Sequence, residues 1–278
     1  MLLTPWRGYA QHEGGSPSYG SRQGVQIPRT ESVREFLSGN EALAHACRDA
    51  GVDIATGYPG TPSTEIIETI HQLGDIEASW STNEKVALET AIGASFAGAR
   101  AVATMKHVGL NVASDPLMTL SYTGVKGGLV VVSCDDPNAY SSQNEQDNRN
   151  YAKFAKIPMF EPSDAQEAYD FLAVALRLSE DYDTPVLFRM TTRVAHSKSL
   201  VQLGPTERSS REIRFQEDFD KYVMLPRQAR ERHRYIEERL VSLEAYSNES
   251  PLNRLEEGEG DTLIVAGPKE AVDALLHH

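Results

Sequence analysis

Cysteine is scarce in this chain. Cys47 and Cys134 stand far apart among 278 residues. They form no C-x-x-C pair or disulfide framework and are too few to hold an iron–sulfur cluster, so the expected setting is cytoplasmic. Long apolar runs are missing as well. No segment reaches the roughly 20 residues that a membrane-spanning helix needs. The opening "MLLTPWRGYAQHEGGSPSYGSRQG" has no apolar core of the secretory type. Positive charge is in deficit: 27 Lys and Arg against 40 Asp and Glu leave a formal net charge of -13. That balance argues against nucleic acid and against an anionic membrane as partners. His45, His71 and His233 are scattered, with no metal-like spacing to either cysteine, so no metal is assigned to them.

What remains is a regular alternation. "GNEALAHACRDAGV" has Ala42, Leu43, Ala46, Cys47 and Ala50 at helical spacing, with Gly51 as its stop. "VDIATGY" reads as a short buried strand. "TPSTEIIETIHQL" reads as a helix with Thr61 as cap and Pro62 at its first position. "IEASWS" is strand-like, "WSTNEKVALETAIGASFAGAR" helical, "RAVATM" a strand and "DPLMTLSYTGV" a helix. "GGLVVVSC" is a β-branched run of the kind covered on both faces. "SDAQEAYDFLAVALRLSEDY" is an amphipathic helix opened by a capping box from Ser163 to Gln166, and "PVLFRMTT" a final strand. This order predicts an α/β domain with a mainly parallel sheet and helices on both faces.

The expected organisation is a disordered extension over 1–37, this domain over 38–200, a charged helical linker over 201–258, and the start of a truncated second α/β domain over 259–278. Within the linker, Gln228 to Tyr246 reads as a solvated helix. Its arginines Arg227, Arg230, Arg232 and Arg234 are interspersed with Glu.

Four segments offer chemistry. "TGYPGTPST" joins a strand to a helix, where open α/β sheets bind ligands. Thr61 brings a hydroxyl, and the amides of Ser63 and Thr64 face any anion placed there. From the residues alone an ordinary strand–turn–helix, with Pro and Gly as turn formers, is the preferred explanation, and the segment carries neither the G-x-G-x-x-G nor the P-loop pattern. Glu84 matches a capping box with Ser81. The helix after it keeps its side chains short at Ala87, Ala91, Gly93, Ala94 and Gly98. That permits close approach of a helix or subunit, and a carboxylate at the mouth of such an interface would lose solvation, which favours its protonated form. Lys106, His107 and Asn111 follow a strand end, on either a solvent-facing loop or an anion-binding one. "DDPNAYSSQNEQDNR" is a long polar loop without the EF-hand order, either solvated or organising a site.

Taken together, "GNEALAHACRDAGVDIATGYPGTPSTEI", "WSTNEKVALETAIGASFAGARAVATMKHVGLNVASDPLMTLSYTGVKGGLVVV" and "DDPNAYSSQNEQDNRNYAKFAKIPMFEPSDAQEAYD" closely resemble the N-terminal part of alpha subunits in the indolepyruvate:ferredoxin oxidoreductase family. The resemblance runs from about Gly39 to His196 and continues more loosely beyond. It implies the pyrimidine-binding domain of a thiamine diphosphate enzyme. Such an enzyme converts an arylpyruvate, coenzyme A and oxidised ferredoxin into arylacetyl-CoA, CO₂ and reduced ferredoxin.

The resemblance also assigns roles. The family's cofactor-activating glutamate matches Glu84, which would hydrogen-bond the aminopyrimidine ring. Thr61 matches the threonine near the substrate carboxylate, and Pro59 and Gly60 would lie beside the cofactor. Lys106, His107 and Asn111 are candidates for contacting substrate or coenzyme A. The family's diphosphate-binding domain with its Mg²⁺ motif, and its cysteine-rich iron–sulfur domain, have no counterpart here. The expectation is a fragment, dimeric and needing those domains in cis or from another chain, together with a beta subunit and ferredoxin. Two other readings stand beside it: a non-catalytic module dimerising through the small-residue helix, and an oxidoreductase for a different 2-oxo acid.

Overall fold

In the computed structural model, residues 33–206 and 211–253 are described. The extension before Val33, and the strand, turn and helix expected over 259–278, lie outside them. The elements in chain order are β1 (Val33–Ser38), α1 (Gly39–Asp49), β2 (Ile54–Gly57), α2 (Thr64–Leu73), β3 (Glu77–Trp80), α3 (Glu84–Phe96), β4 (Ala101–Lys106), α4 (His107–Val112), α5 (Ser114–Thr123), β5 (Leu129–Asp135), α6 (Arg149–Ala155), β6 (Met159–Phe160), α7 (Ala165–Asp181), β7 (Val186–Thr191), α8 (Thr192–His196), β8 (Lys198–Leu203), α9 (Phe219–Tyr222) and α10 (Pro226–Glu249). Six strands form one sheet in the order β3-β2-β4-β5-β7-β6, and every pairing in it is parallel.

The central strands show why both faces are covered. Along β5, Val130, Val132 and Cys134 enter one core with Leu43 of α1, Ile66 and Ile70 of α2 and Leu172 and Leu176 of α7. Leu129 and Val131 enter the opposite core with Leu88 and Ala91 of α3 and Leu117 of α5. A strand whose alternate residues meet two apolar layers must be apolar throughout, as β5 is. Both cysteines are free and buried, and burial pushes both thiols upward, away from the reactive thiolate.

Several expectations need correction. The segment read as extension up to residue 37 already contains β1, which pairs antiparallel with β8 from Val33↔Leu203 to Ser38↔Lys198. Leu37, Val201 and Leu203 form a satellite core with Ala42 and Ala165. The helix α2 starts at Thr64, not Pro62. Thr61–Pro62 is a cis bond before it, and Ser63 is the N-cap residue without a side-chain cap. In α3 the cap is Asn83, whose Oδ1 accepts from Val86 N at 3.0 Å, so the Ser81–Glu84 box does not form. In α7 the cap is Asp164, and Glu167 accepts from Ser163 N and Oγ.

The helix α10 is docked, not a solvated linker. Gln228, Ile236, Arg239 and Leu243 are its buried stripe. Asp183 is the anchor beneath it. Its carboxylate accepts from Val125 N, Lys221 Nζ and an Arg232 Nη, and its carbonyl accepts from Arg239. Arg239 and Arg232 also donate to carbonyls of Ser121 and Tyr122 at the end of α5. Cations at a helix C-terminus satisfy its orphan carbonyls and its dipole. Burial pushes Arg239 down to about 10 even so, against the pull of Asp183. No helix among the described residues is long and apolar enough to cross a membrane.

Candidate functional site

Parallel pairing places the carboxyl ends of β3, β2, β4 and β5 along one edge of the sheet. From β2 the chain goes outward to β3, then returns to β4 on the other side of β2. The β2/β4 boundary is therefore a topological switch point, where open α/β sheets leave a crevice. The Tyr58–Ser63 turn follows β2, Glu84 follows β3, Lys106 to Asn111 follow β4, and the polar loop 136–148 follows β5. Every site residue expected from the sequence lies on this edge.

Glu84 is the first residue of α3, oriented by the Asn83 cap. It is partly exposed, and its carboxylate makes no hydrogen bond to a described residue. It lies against α4: a Cβ built on Gly109 would meet Glu84 Oε1 at 2.5 Å, Cγ at 2.6 Å and Cδ at 2.8 Å. Gly109 was not singled out in the sequence. From sequence this stretch reads as a loop, where a glycine is ordinary; it becomes a signal only once the structure places Gly109 inside the helix α4.

The turn after β2 is built from local bonds. Gly60 N donates to Thr64 Oγ1 at 2.9 Å, and Ser63 N and Oγ both donate to Gly60 O at 2.8 Å. The Gly60 and Ser63 amides are thus spent inside the turn and do not face an anion, contrary to the expectation for Ser63. From α1, the fully buried Asn40 donates to Pro62 O at 2.8 Å and to Glu65 at 3.0 Å, fixing the turn from behind. Thr61 and Pro59 are left exposed. A Cβ on Gly60 would come within 3.3 Å of Lys106 Cβ, so the turn lies directly on the Lys106 stem.

Lys106 and His107 occupy no solvent-facing loop. They are the last residue of β4 and the first of α4, and both are buried. Lys106 Nζ donates to Ser141 O at 2.7 Å, and His107 Nε2 donates to Asn144 O at 3.1 Å. The strand-to-helix junction lets two adjacent side chains converge on one loop. Asn111 is exposed and accepts from Tyr151 Oη at 2.6 Å.

The loop they hold is itself strongly anchored. Asp136 accepts from Ser142 Oγ at 2.5 Å, Ser141 N at 2.8 Å and Thr192 Oγ1 at 2.9 Å. Burial alone would raise this carboxyl; the hydrogen bonds outweigh it and bring it down to about 2. Asp135 Oδ2 accepts from Arg189 Nε at 2.7 Å and Asn148 N at 3.0 Å, and Arg189 also pairs with Glu161. Asn148 Nδ2 donates to His107 O at 3.0 Å, closing the circuit to α4.

Large apolar side chains stand exposed around this edge, among them Tyr58, Trp80, Val86, Val112 and Tyr140. A groove of about 530 Å³ lies between α2 and β3, lined by Ile67, His71, Ala78 and Trp80 among others. It opens on the outer flank of the sheet, away from Gly109 and Lys106, so the better candidate is the shelf carrying Glu84. Among the described residues no three His, Cys, Asp or Glu side chains gather as a metal cluster.

Comparison with known proteins bears on this shelf. Residues 45–250 match the family described as pyruvate flavodoxin/ferredoxin oxidoreductase, thiamine diphosphate-binding. The chain is 45% identical over 245 residues to an indolepyruvate oxidoreductase subunit IorA of Archaeoglobus fulgidus, covering 85% of this chain and 39% of that protein. It is 46% identical over 235 residues to the subunit of the same name from Methanothermobacter thermautotrophicus, covering 84% of this chain and 38% of the relative. The chain thus spans about two fifths of the length of these relatives. Among solved structures, 2-oxoglutarate:ferredoxin oxidoreductase from Magnetococcus marinus superposes with a TM-score of 0.62 at 15% identity, covering 82% of this chain and 47% of that one. At that identity the likeness is one of fold.

Proposed function

Because this chain belongs to the pyruvate flavodoxin/ferredoxin oxidoreductase family through its thiamine diphosphate-binding domain, we propose that its shelf is the pyrimidine half of a thiamine diphosphate site. The enzyme it serves would oxidatively decarboxylate arylpyruvates such as indolepyruvate with coenzyme A, passing electrons to ferredoxin. The single observation that carries this is Glu84: a carboxyl group at the switch-point edge, seated over a glycine and free of any described partner.

The residues present fit the group. An aminopyrimidine needs one carboxyl group able to hydrogen-bond a ring nitrogen, close backbone on either side, and apolar surface against its faces. Glu84, the turn at Pro59 and Gly60, and the exposed Tyr58 and Val86 supply those kinds of contact. When bound, thiamine diphosphate supplies the carbon nucleophile and the electron sink for decarboxylation. The task of Glu84 is to hold a proton against the ring nitrogen, which it can do only because its oxygens are uncommitted. Thr61 offers its free hydroxyl to the carboxylate of the 2-oxo acid. Lys106, His107 and Asn111 act from behind. They fix the 136–148 loop and the α4–α6 contact, so that loop carbonyls, hydroxyls and amides line the substrate side.

The rest of the reaction belongs to other domains. The diphosphate with its Mg²⁺ and the iron–sulfur clusters would sit on further domains, in cis or on another chain, alongside a beta subunit and ferredoxin. The apolar rim at Tyr58, Trp80, Val86 and Val112 is the surface they would cover in a dimeric assembly. A different 2-oxo acid as substrate would leave all these roles intact.

The test is assembly with those domains from an indolepyruvate oxidoreductase relative. The expected result is bound cofactor, read as thiochrome fluorescence after oxidation, with turnover lost in Glu84→Gln. An assembled complex that binds no thiamine diphosphate would overturn the reading. Association that survives Glu84→Gln with no turnover in either form would instead favour a non-catalytic module. The exposed Val86, Thr90 and Gly93 face of α3 is the observation behind that second reading.

A further inference from the structure

We infer that Gly109 is a positioning residue for Glu84: it opens a slot on α4 that fixes the stance of the glutamate by shape, leaving its oxygens unbonded. The slot itself rests on geometry alone; its consequence for turnover rests on the function proposed above.

The glycines of this fold do different jobs, and comparison isolates this one. A Cβ on Gly127, Gly39 or Gly128 would strike backbone atoms of Ala99, Val194 or Leu176, so these glycines serve the close packing of main chains. A Cβ on Gly124 would also meet one carboxylate, that of Asp183, but Gly124 adopts φ +70°, which would itself demand glycine. Gly93 in α3 has nothing within 4 Å of such a Cβ. Gly109 is buried, lies inside α4 and is not among the positive-φ positions. Its backbone would therefore accept alanine, which helices prefer to glycine. The three nearest obstacles all belong to one side chain, that of Glu84. They include Cγ as well as the carboxylate, so rotating the carboxylate would not clear the contact. The whole side chain would have to leave its rotamer.

This arrangement solves a specific problem. A carboxylate is ordinarily oriented by hydrogen bonds, and each bond it accepts reduces what it can offer a ligand. Packing the Cγ–Cδ stem against a bare Cα holds the group in place without occupying its oxygens. The Asn83 cap fixes the backbone from which the stem departs. The slot fixes where the stem goes.

Thermal unfolding of the full chain tests the slot with no cofactor present. Gly93→Ala, the control, should raise Tm by roughly 2 °C. Gly109→Ala should fall short of that gain, because Glu84 must leave its rotamer. In a Glu84→Ala background the obstacle is gone, and Gly109→Ala should then deliver the full gain. The same Tm change in both backgrounds would overturn the inference, since Glu84 would then not be what the space is kept for. In the assembled enzyme with indolepyruvate as substrate, Gly109→Ala should lower kcat by at least about tenfold. The KM should move by less than about twofold. Unchanged kcat, or a loss confined to KM, would overturn the positioning role. Failure of the functional reading is separable: if Glu84→Gln turned over normally, the dependence of the Gly109→Ala Tm change on residue 84 would still stand.

Discussion

Asp136 and Glu84 each follow a strand of the same parallel sheet, at the same edge, yet they are held in opposite ways. Asp136 is buried and takes hydrogen bonds from two serines, an amide and a threonine. Its neighbour Asp135 is closed by Arg189 and Asn148. Glu84 is partly exposed and takes none; its position comes from a cap on one side and a glycine on the other. The saturated carboxylates make structure, because an unpaired charge at their depth would be strongly unfavourable. The unsaturated one has no described partner to lose on unfolding, and under the proposed function it keeps its hydrogen bonding for the cofactor. On this edge, a carboxylate's unused hydrogen-bonding capacity sets Glu84 apart from Asp135 and Asp136.

That contrast can be broken at its structural end first. Arg189→Ala leaves Asp135 buried without its counter-charge and should destabilise the chain by about 3–5 kcal/mol. Urea unfolding followed by circular dichroism measures it, and an unmoved midpoint would remove Asp135 from the scaffold. A smaller effect follows from Asp136→Asn, which loses charge-assisted hydrogen bonds for about 1–3 kcal/mol near neutral pH. Here the sign of the pH dependence is fixed. The Asp136 carboxyl titrates at about 2 in the folded chain, below its ordinary 3.8. Its contribution is therefore complete above about pH 4 and is lost as pH falls towards 2. The Tm difference between wild type and Asp136→Asn should shrink across that window; a constant difference would contradict it. The smallest effect sharpens the comparison. Glu84→Gln has no described partner to lose and should change stability by no more than about 0.5 kcal/mol. A large loss in the same urea experiment would place Glu84 with the scaffold after all.

The sheet was largely legible because its signal is local. Val130 to Val132 in β5, and the apolar spacing of α1 and α7, carry their own periodicity, and "TGYPGTPST" marked a strand–helix junction by turn residues alone. Elements whose partners are remote were not legible. β1 is six residues with Arg34 and Glu35 inside it, and only pairing with β8 at the far end of the domain makes it a strand. The buried stripe of α10 includes Gln228 and Arg239, with Arg232 beside it. By pattern it reads as solvated, and only the carbonyls at the end of α5 and the Asp183 carboxylate make it a docking face. The Ser81–Glu84 spacing fits a capping box, yet Asn83 stands nearer the helix start and takes the cap. Lys106 and His107 were identified as candidates, but their convergence on Ser141 and Asn144 depends on how the β5 loop folds back. Gly109 shows only once Glu84 is placed above it.

The pairing of β1 with β8 also has a consequence in time. These two strands are separated in sequence by the whole parallel sheet, so the loop they close is long, and its closing entropy is repaid only after the elements between them have come together. They should be the last part of the α/β unit to zip and the first to open. Their ladder, with Val33 and Phe36 exposed on one strand and Leu200 on the other, would then exchange its amide hydrogens well ahead of the β4–β5 ladder, as a seam that parts while the sheet behind it stays whole.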